Sequence, residues 1–438
     1  MRPSGVRRWA TNGVVAAILA WLVTAMLTLP VPASADPLPG PAGDLTQAIH
    51  RDLGIDLTAY QRRADDAQRL AGFAAGFAAD HPATFAGAWL DPDGRTVVGL
   101  AGGADRAAAR AAVEAAGFTP RDVAKSAATL NAEQQQLDRW LAGLPPQLAA
   151  LVRGIAVDIA HNALAVRVER VADGLTFPSF VDPRQILVMP GPRTTEPVPA
   201  PKSDAITGVL PGNALGGGDA FAAIDGRAML RCSLGFNGTD AAGQVVNVTA
   251  GHCNPDARSA GTGTAANIFE LGRFDSIGPK LGTFEASRLD GHDYSLVRVD
   301  PGAAGRFANN LVRAPGVAPL AVDGVATPVV GAPVCKSGAR TGFSCGTISA
   351  VGQTVRVGNR QLTDNFSSSI CALPGDSGGA VVSGTKAIGI SSASSVADYP
   401  FCELPDVLGA ALGKGPELFV TPIDAVLADN PGLTLRTS

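Results

Sequence analysis

No cysteine precedes position 232, and none of the 6 cysteines stands in a Cys-x-x-Cys pair. Metal-binding or redox cysteines at the usual close spacing are therefore excluded. Charge is scarce as well: Asp, Glu, Lys and Arg make up 17% of the 438 residues, and 35 basic against 39 acidic side chains leave a net −4. No basic block offers nucleic acid an electrostatic footprint, and no run of like charge marks a solvating tail. Beyond Leu29 no apolar run is long enough to span a membrane. Histidine is rare, with 5 in the chain, so any chemistry that needs an imidazole has few candidates. What is abundant is punctuation. The 52 Gly and 32 Pro imply many turns and suit a β-rich fold, while 46% hydrophobic residues suffice for packed cores.

The N-terminus carries Arg2, Arg7 and Arg8, an apolar stretch from about Val14 to Leu29, and then Ala33-Ser34-Ala35. Basic start, short apolar core and small-residue exit are the parts of a secretory signal peptide, residues 1–35. The apolar stretch falls short of the roughly 20 residues that cross a bilayer, so removal is expected, with no membrane span afterwards. The expected location is extracellular. In an exported chain an even cysteine count reads as disulfides, and Cys232, Cys253, Cys335, Cys345, Cys371 and Cys402 leave all fifteen pairings open.

Three segments follow. Residues 36–189 are Ala-rich and mix patterns. Leu45 to Phe77, Ala104 to Ala116 and Ser126 to Leu141 read as helical, the last ended by Pro145-Pro146. Phe85 to Leu90 and Thr96 to Leu100 flank the turn Asp91-Pro92-Asp93-Gly94 as a hairpin, and Ile155 to Ile159 with Leu164 to Val168 suggest a second. This is an α+β domain without cysteine. Residues 190–215, rich in Pro, Thr, Ser and Gly, form an exposed linker open to proteolysis. Residues 216–438 are short apolar runs broken by Gly, Asn and Asp, the texture of an antiparallel sandwich or barrel. Near the end, Thr421 as N-cap and Pro422 in the first turn predict a helix over Ile423 to Ala428.

The chemistry is in the last segment. Gly375-Asp376-Ser377-Gly378-Gly379 sets a serine among small neighbours, which let the backbone approach a substrate carbonyl and aim N–H groups at a developing oxyanion. The pentapeptide also fits the Gly-x-Ser-x-Gly elbow of α/β-hydrolases, but that fold needs a histidine after the serine and none follows Ser377. The base must lie upstream, at His252 in Thr249-Ala250-Gly251-His252-Cys253 or at His292. His292 directly precedes Asp293 at the start of the strand Tyr294 to Val299, where adjacent side chains diverge, so Asp293 is expected to orient His252. The resulting order His252, Asp293, Ser377 is one of the three known for this constellation.

Thr-Ala-Gly-His-Cys, Asp-Tyr-Ser-Leu-Val and Pro-Gly-Asp-Ser-Gly-Gly together resemble the chymotrypsin-fold serine proteases, most closely the bacterial streptogrisin and α-lytic protease branch. Arg231 to Phe236, Cys335 to Gly338, Cys345 to Ile348 and Cys371 to Gly375 add to the likeness in the same order. The resemblance covers the whole C-terminal half. It implies two antiparallel six-stranded β-barrels with the site between them, a catalytic triad of His252, Asp293 and Ser377, and an oxyanion hole from the N–H groups of Gly375 and Ser377. It also implies bridges Cys232–Cys253, Cys335–Cys345 and Cys371–Cys402, and no cofactor or metal. Asp376 is expected to be structural and to need a buried partner. The branch uses an Arg where this chain has Lys336, with Arg340 as the fallback.

By the same resemblance Ser392, Ala393 and Ser394 pair with substrate backbone, while Ala372 and Leu373 suggest an apolar pocket rim. No acid lies between Ser367 and Leu373, which disfavours cleavage after Arg or Lys. Small or medium apolar residues are expected before the cleaved bond, although Asp398 and Glu403 flank Cys402. Residues 36–189 more weakly resemble the pro-regions of this branch, which implies a folding chaperone and inhibitor removed near Asn213 to Gly216. The expectation is a monomeric, secreted serine endopeptidase made as a zymogen and acting on peptides or proteins. The rivals are a catalytically silent binding protein on a protease fold and a serine esterase.

Overall fold

The computed structural model describes residues 44–170, 172–188, 210–272, 276–316, 318–358, 360–402 and 415–438. The signal segment 1–35, most of the 190–215 linker and Glu403 lie outside them. The long helical pattern from Leu45 is two helices, α1 (Asp44–Leu53) and α2 (Leu57–Asp80). Gly54 separates them at φ +67°, a conformation that ends helices, and the Asp56 side chain starts the second by accepting from the Ala59 N–H at 2.7 Å. The first expected hairpin is present as β1 (Phe85–Leu90) and β2 (Thr96–Leu100). Next come α3 (Arg106–Ala115) and β3 (Thr119–Asp122), the latter parallel to β2. Ser126 caps α4 (Ala127–Ala142), and Pro146 opens a further short helix, α5 (Pro146–Ala149). The second hairpin is β4 (Val152–Asp158) and β5 (Ala163–Val168), followed by β6 (Ile186–Val188).

The C-terminal half begins with β7 (Ala220–Ile224), β8 (Met229–Ser233), β9 (Phe236–Thr239), β10 (Val245–Thr249), β11 (Asn267–Leu271), β12 (Ile277–Arg288) and β13 (Tyr294–Val299). Three two-residue strands follow: β14 (Leu311–Val312), β15 (Leu320–Ala321) and β16 (Gly324–Val325). Then come β17 (Pro333–Gly338), β18 (Gly342–Val357), β19 (Arg360–Ser368), β20 (Ala380–Ser383), β21 (Lys386–Ser394) and β22 (Leu418–Pro422), before α6 (Ile423–Asp429) and β23 (Thr434–Leu435).

The first large sheet runs β23-β9-β10-β13-β12-β11-β7-β8, eight strands rather than the six expected, because the chain end and the Cys232 strand add to it. In the second, β17-β20-β21-β22-β19-β18 follow one another and a β17–β18 pairing closes those six into a ring. β18 is longer than the ring needs. Its Thr354 and Val355 pair with Ile155 and Gly154, so β4, β5 and β6 of the N-terminal region prolong the same sheet and cover an edge that would otherwise be exposed. The core inside the ring (Val334, Ile348, Phe366, Ile388, Val420) is continuous with Leu70, Phe77, Val98 and Leu100.

The cap of α6 differs from the expectation. Pro422 is the N-cap, and Thr421 stays paired in β22, where its Oγ1 donates to the Asp293 carbonyl at 3.1 Å. A proline can end a strand at φ −62° without needing a donor, so the cap moves to Pro422 while the helix starts at Ile423 as expected. The three bridges are Cys232–Cys253, Cys335–Cys345 and Cys371–Cys402. Among the described residues no helix is long and apolar enough to cross a membrane.

Candidate active site

The candidate base, His252, is delivered by the end of β10. After Thr249 and Ala250 the chain makes a single 3-10 turn, Gly251–Cys253. Only glycine fits at 251, since a Cβ there would lie 1.9 Å from the Arg288 carbonyl and 2.9 Å from Asp293 Oδ1. That fit brings the next N–H, of His252, onto Asp293 Oδ1 at 2.9 Å, and His252 Nδ1 onto Oδ2 at 2.7 Å. Asp293 precedes β13 and is 1% exposed. Its remaining bond comes from Ser392 Oγ, which donates to Oδ2 at 2.5 Å. Burial pushes the Asp293 carboxyl up, but the His252 charge and the hydrogen bonds from His252 and Ser392 outweigh it and hold the group below the usual carboxylate range.

A carboxylate can only accept, so the proton in the Asp293–His252 bond sits on Nδ1, which leaves Nε2 as the ring atom that can take a proton from a nucleophile. Nε2 is buried and makes no hydrogen bond, to Ser377 or to any other described residue. Bonds between nucleophile and base commonly tighten only on substrate binding. His292 does diverge from Asp293, as alternation requires: its Nδ1 bonds Asp429 Oδ2 at 2.7 Å, on the side of α6.

The loop of Ser377, the candidate nucleophile, is held from three sides. Ser233 of β8 donates its N–H to the Ser377 carbonyl at 2.8 Å and its hydroxyl to the Gly375 carbonyl at 2.7 Å. Ser391 accepts from the Gly378 N–H at 2.8 Å and donates its hydroxyl to the Asp376 carbonyl at 2.8 Å. Gly378, at φ +82°, packs so closely on the end of β10 that a Cβ would meet Thr249 Oγ1 at 1.9 Å. This contact sets Ser377 beside the strand that carries His252. Gly375, at φ +106°, adopts a backbone direction that side-chain-bearing residues avoid. Ser377 itself is 4% exposed.

Asp376 is fully buried and paired. Its Oδ1 accepts from the Arg340 and Thr341 N–H groups, both at 2.9 Å, and its Oδ2 from Thr341 Oγ1 at 2.7 Å and the Leu373 N–H at 3.0 Å. Lys336 Nζ lies 3.5 Å from Oδ2 and also donates to Thr341 Oγ1 and the Gly342 carbonyl. Lys336 thus takes the place expected of an arginine, and Arg340 takes part through its N–H. Burial lowers the Lys336 pKa, opposed by the Asp376 charge. Replacing Lys336 with Met leaves Asp376 as a buried, uncompensated charge, and a loss of about 3–5 kcal/mol is expected. The guanidinium-induced unfolding midpoint, measured in a Ser377→Ala background to prevent self-digestion, checks this. A shift within error of zero would remove Lys336 from the account.

The expected substrate residues are placed as follows. Ser392 lies at a bulge between Ser391 and Ala393 in β21, and β20 pairs with β21 only as far as Ile390. Ser394 stands opposite Leu418, and Ala393 opposite Phe419. Ala372 is buried with Leu418 and Ile370, and Leu373 with Cys371 and Val396, so both are interior rather than at an open rim. The hydroxyl roles of Ser392, Ser233 and Thr341 were not read from the sequence. The available signal was a serine-rich strand, Ser391-Ser392 and Ser394-Ser395, since buried hydroxyls need partners.

Residues 235–402 match the family model described as Trypsin. Streptogrisin-C of Streptomyces griseus is 30% identical over 365 residues, which are 83% of this chain and 71% of that protein. Serine protease 2 of Streptomyces fradiae is 32% identical over 182 residues, 41% of this chain and 95% of that protein. Among solved structures, the Nocardiopsis protease is 34% identical, with 51% of this chain and 100% of that chain covered and a TM-score of 0.39.

Proposed function

The chain belongs to the bacterial chymotrypsin-fold serine endopeptidases, with an N-terminal extension, and we propose that it is a secreted zymogen working through Ser377, His252 and Asp293. The observation that carries the triad is the Asp293–His252 bond, with Nε2 of the same ring buried and without a hydrogen-bond partner among the described residues. Ser377 Oγ attacks the scissile carbonyl while Nε2 takes its proton. The Gly375 and Ser377 N–H groups hold the oxyanion, and Nε2 returns the proton to the leaving amine, giving an acyl-enzyme that water then hydrolyses. Asp293 fixes the tautomer and stabilises the imidazolium. His252 and Asp293 stand at the ends of strands of the first large sheet, and Ser377 in the loop before β20 of the second.

Substrate backbone adds to β21 at Ser392 to Ser394, where β20 has left the strand. Leu418 opposite Ser394 favours small or medium apolar residues before the cleaved bond.

Residues 36–189 act as chaperone and inhibitor until cleavage near Asn213 to Gly216. Support comes from where this region bonds the catalytic half. Asp52 Oδ2 accepts from the Cys345 N–H at 2.8 Å and Tyr60 OH from the Gly384 N–H at 3.0 Å. The Gln68 side chain makes both a donor and an acceptor bond to the Thr327 backbone. With the β4–β18 pairing, these contacts template the closed ring, whose strand order demands long-range pairing that is slow to find unaided.

The test is digestion of a folded protein by the secreted chain, with mass spectrometry of the new termini. Cuts after Ala, Val and Leu, and an enzyme starting between Asn213 and Gly216, are expected. Ester hydrolysis with no new protein termini would establish the esterase instead.

A further inference from the structure

One residue of the N-terminal region enters the catalytic half as a ligand enters a receptor. Arg167 of β5 faces Gly154 of β4, which in turn faces Val355 of β18. A Cβ at Gly154 would rest 3.5 Å from Arg167 Cδ and Nη1, in ordinary van der Waals contact, so the arginine lies across β4. Its guanidinium then meets three groups of the catalytic half. Nε donates to Glu417 Oε2 at 2.8 Å and Nη2 to Glu417 Oε1, a two-pronged carboxylate contact. Nη1 donates to Gln353 Oε1 at 2.6 Å. The flat face stacks 5.3 Å over the Phe419 ring. The side chains of Arg167 and Glu417 are 5% and 11% exposed.

The receiving groups are fixed without the arginine. Gln353 Nε2 donates to Ser367 Oγ at 2.6 Å and to the Ala350 carbonyl, which settles its amide orientation with the oxygen toward the guanidinium. Glu417 is tied by its backbone in both directions to Ser395, its N–H to Ser395 Oγ and its carbonyl from the Ser395 N–H, each at 2.9 Å. Phe419 is fully buried. Carboxylate, amide oxygen and aromatic face thus form a guanidinium receptor built entirely from residues after 350.

The receptor lies at the end of the substrate strand. A peptide paired antiparallel to Ser392–Ser394 has its scissile carbonyl at the Ser392 end, next to Asp293. Its N-terminal side passes Ser394 toward Ser395 and the bonded Glu417. We propose that in the mature enzyme Glu417, Gln353 and Phe419 bind the side chain of a substrate arginine three or more residues N-terminal to the cleaved bond. The inference rests on the reading that residues 36–189 depart on maturation. Departure strips Glu417 of its counter-charge in a partly buried place, and a substrate guanidinium restores it.

The test uses the processed wild-type enzyme and peptides with one arginine walked from the third to the sixth residue before the cut. Each peptide is matched by one with citrulline, its neutral isostere. At one or two positions the arginine peptide should be cleaved about tenfold better, with the gain carried by KM, and the ratio should fall to near one in Glu417→Gln. Equal rates at all four positions with an enzyme that has shed residues 44–188 overturn the site, whether or not Glu417→Gln folds. An enzyme that remains full length overturns the maturation reading, and with it the receptor's availability, and the gel distinguishes the two failures.

Discussion

Ser377→Ala and His252→Ala should each leave the secreted chain at full length and unlabelled by a fluorophosphonate, with peptide hydrolysis down roughly 10⁴-fold or more. Wild type should label and should lose residues up to about Asn213. The size of the effect follows from the division of labour in the site. Without the hydroxyl there is no acyl-enzyme, and without Nε2 nothing takes the proton of an alcohol that is a weak nucleophile at neutral pH. What survives is binding and oxyanion stabilisation. Ser377→Ala should keep the fold: the loop is anchored through the Ser377 carbonyl, Gly378 and Asp376, and those anchors do not use the Ser377 hydroxyl. His252→Ala likewise keeps the N–H bond to Asp293 Oδ1. Labelling of wild type without shortening would keep the hydrolase and assign activation to another protease. No labelling of a correctly cleaved, folded wild type would sink the enzyme reading and promote the silent binding fold.

The parts of this site that were legible in the sequence are those whose chemistry is written in neighbouring residues. Gly375 to Gly379 and Thr249 to Cys253 state both a reactive group and the small residues that crowd around it. The hairpin at Asp91 to Gly94 and the cap at Ser126 are likewise local. What stayed hidden depends on register between distant strands. Ser392 was readable as a strand residue, but its hydroxyl bond to Asp293 spans 99 positions and is made at a register shift in β21 that no local pattern announces. Lys336 looked like a departure from an arginine pattern, yet the shorter ammonium reaches Asp376 with Thr341 as a shared partner. Arg167 and Glu417 are 250 positions apart and carry no mutual signal, because their meeting needs β4 to pair with β18.

Asp293→Asn should fold, keep KM within a few-fold and lose roughly 10⁴ in kcat. The carboxylate does three things that an amide cannot all do. It accepts from the His252 N–H, from Nδ1 and from Ser392 Oγ, and an amide has one acceptor oxygen for these three donors. If the amide NH₂ faces Nδ1, that nitrogen must accept, the ring proton moves to Nε2, and the base is blocked at the atom that should receive the Ser377 proton. The same substitution predicts a pH signature. Asp293 is held below its unfolded value of about 3.9, so its contribution to stability is fully present above that pH and is lost as pH falls through the folded value. The Asn variant has no such group. Its unfolding midpoint should therefore lie below wild type at neutral pH and converge with it in strong acid. Ser392→Ala removes one of the three donors and keeps the charge, so it should cost far less in kcat while moving the midpoint in the same direction. A kcat loss under tenfold for Asp293→Asn would mean that the tautomer of His252 is fixed by something else, and Asp293 would leave the triad.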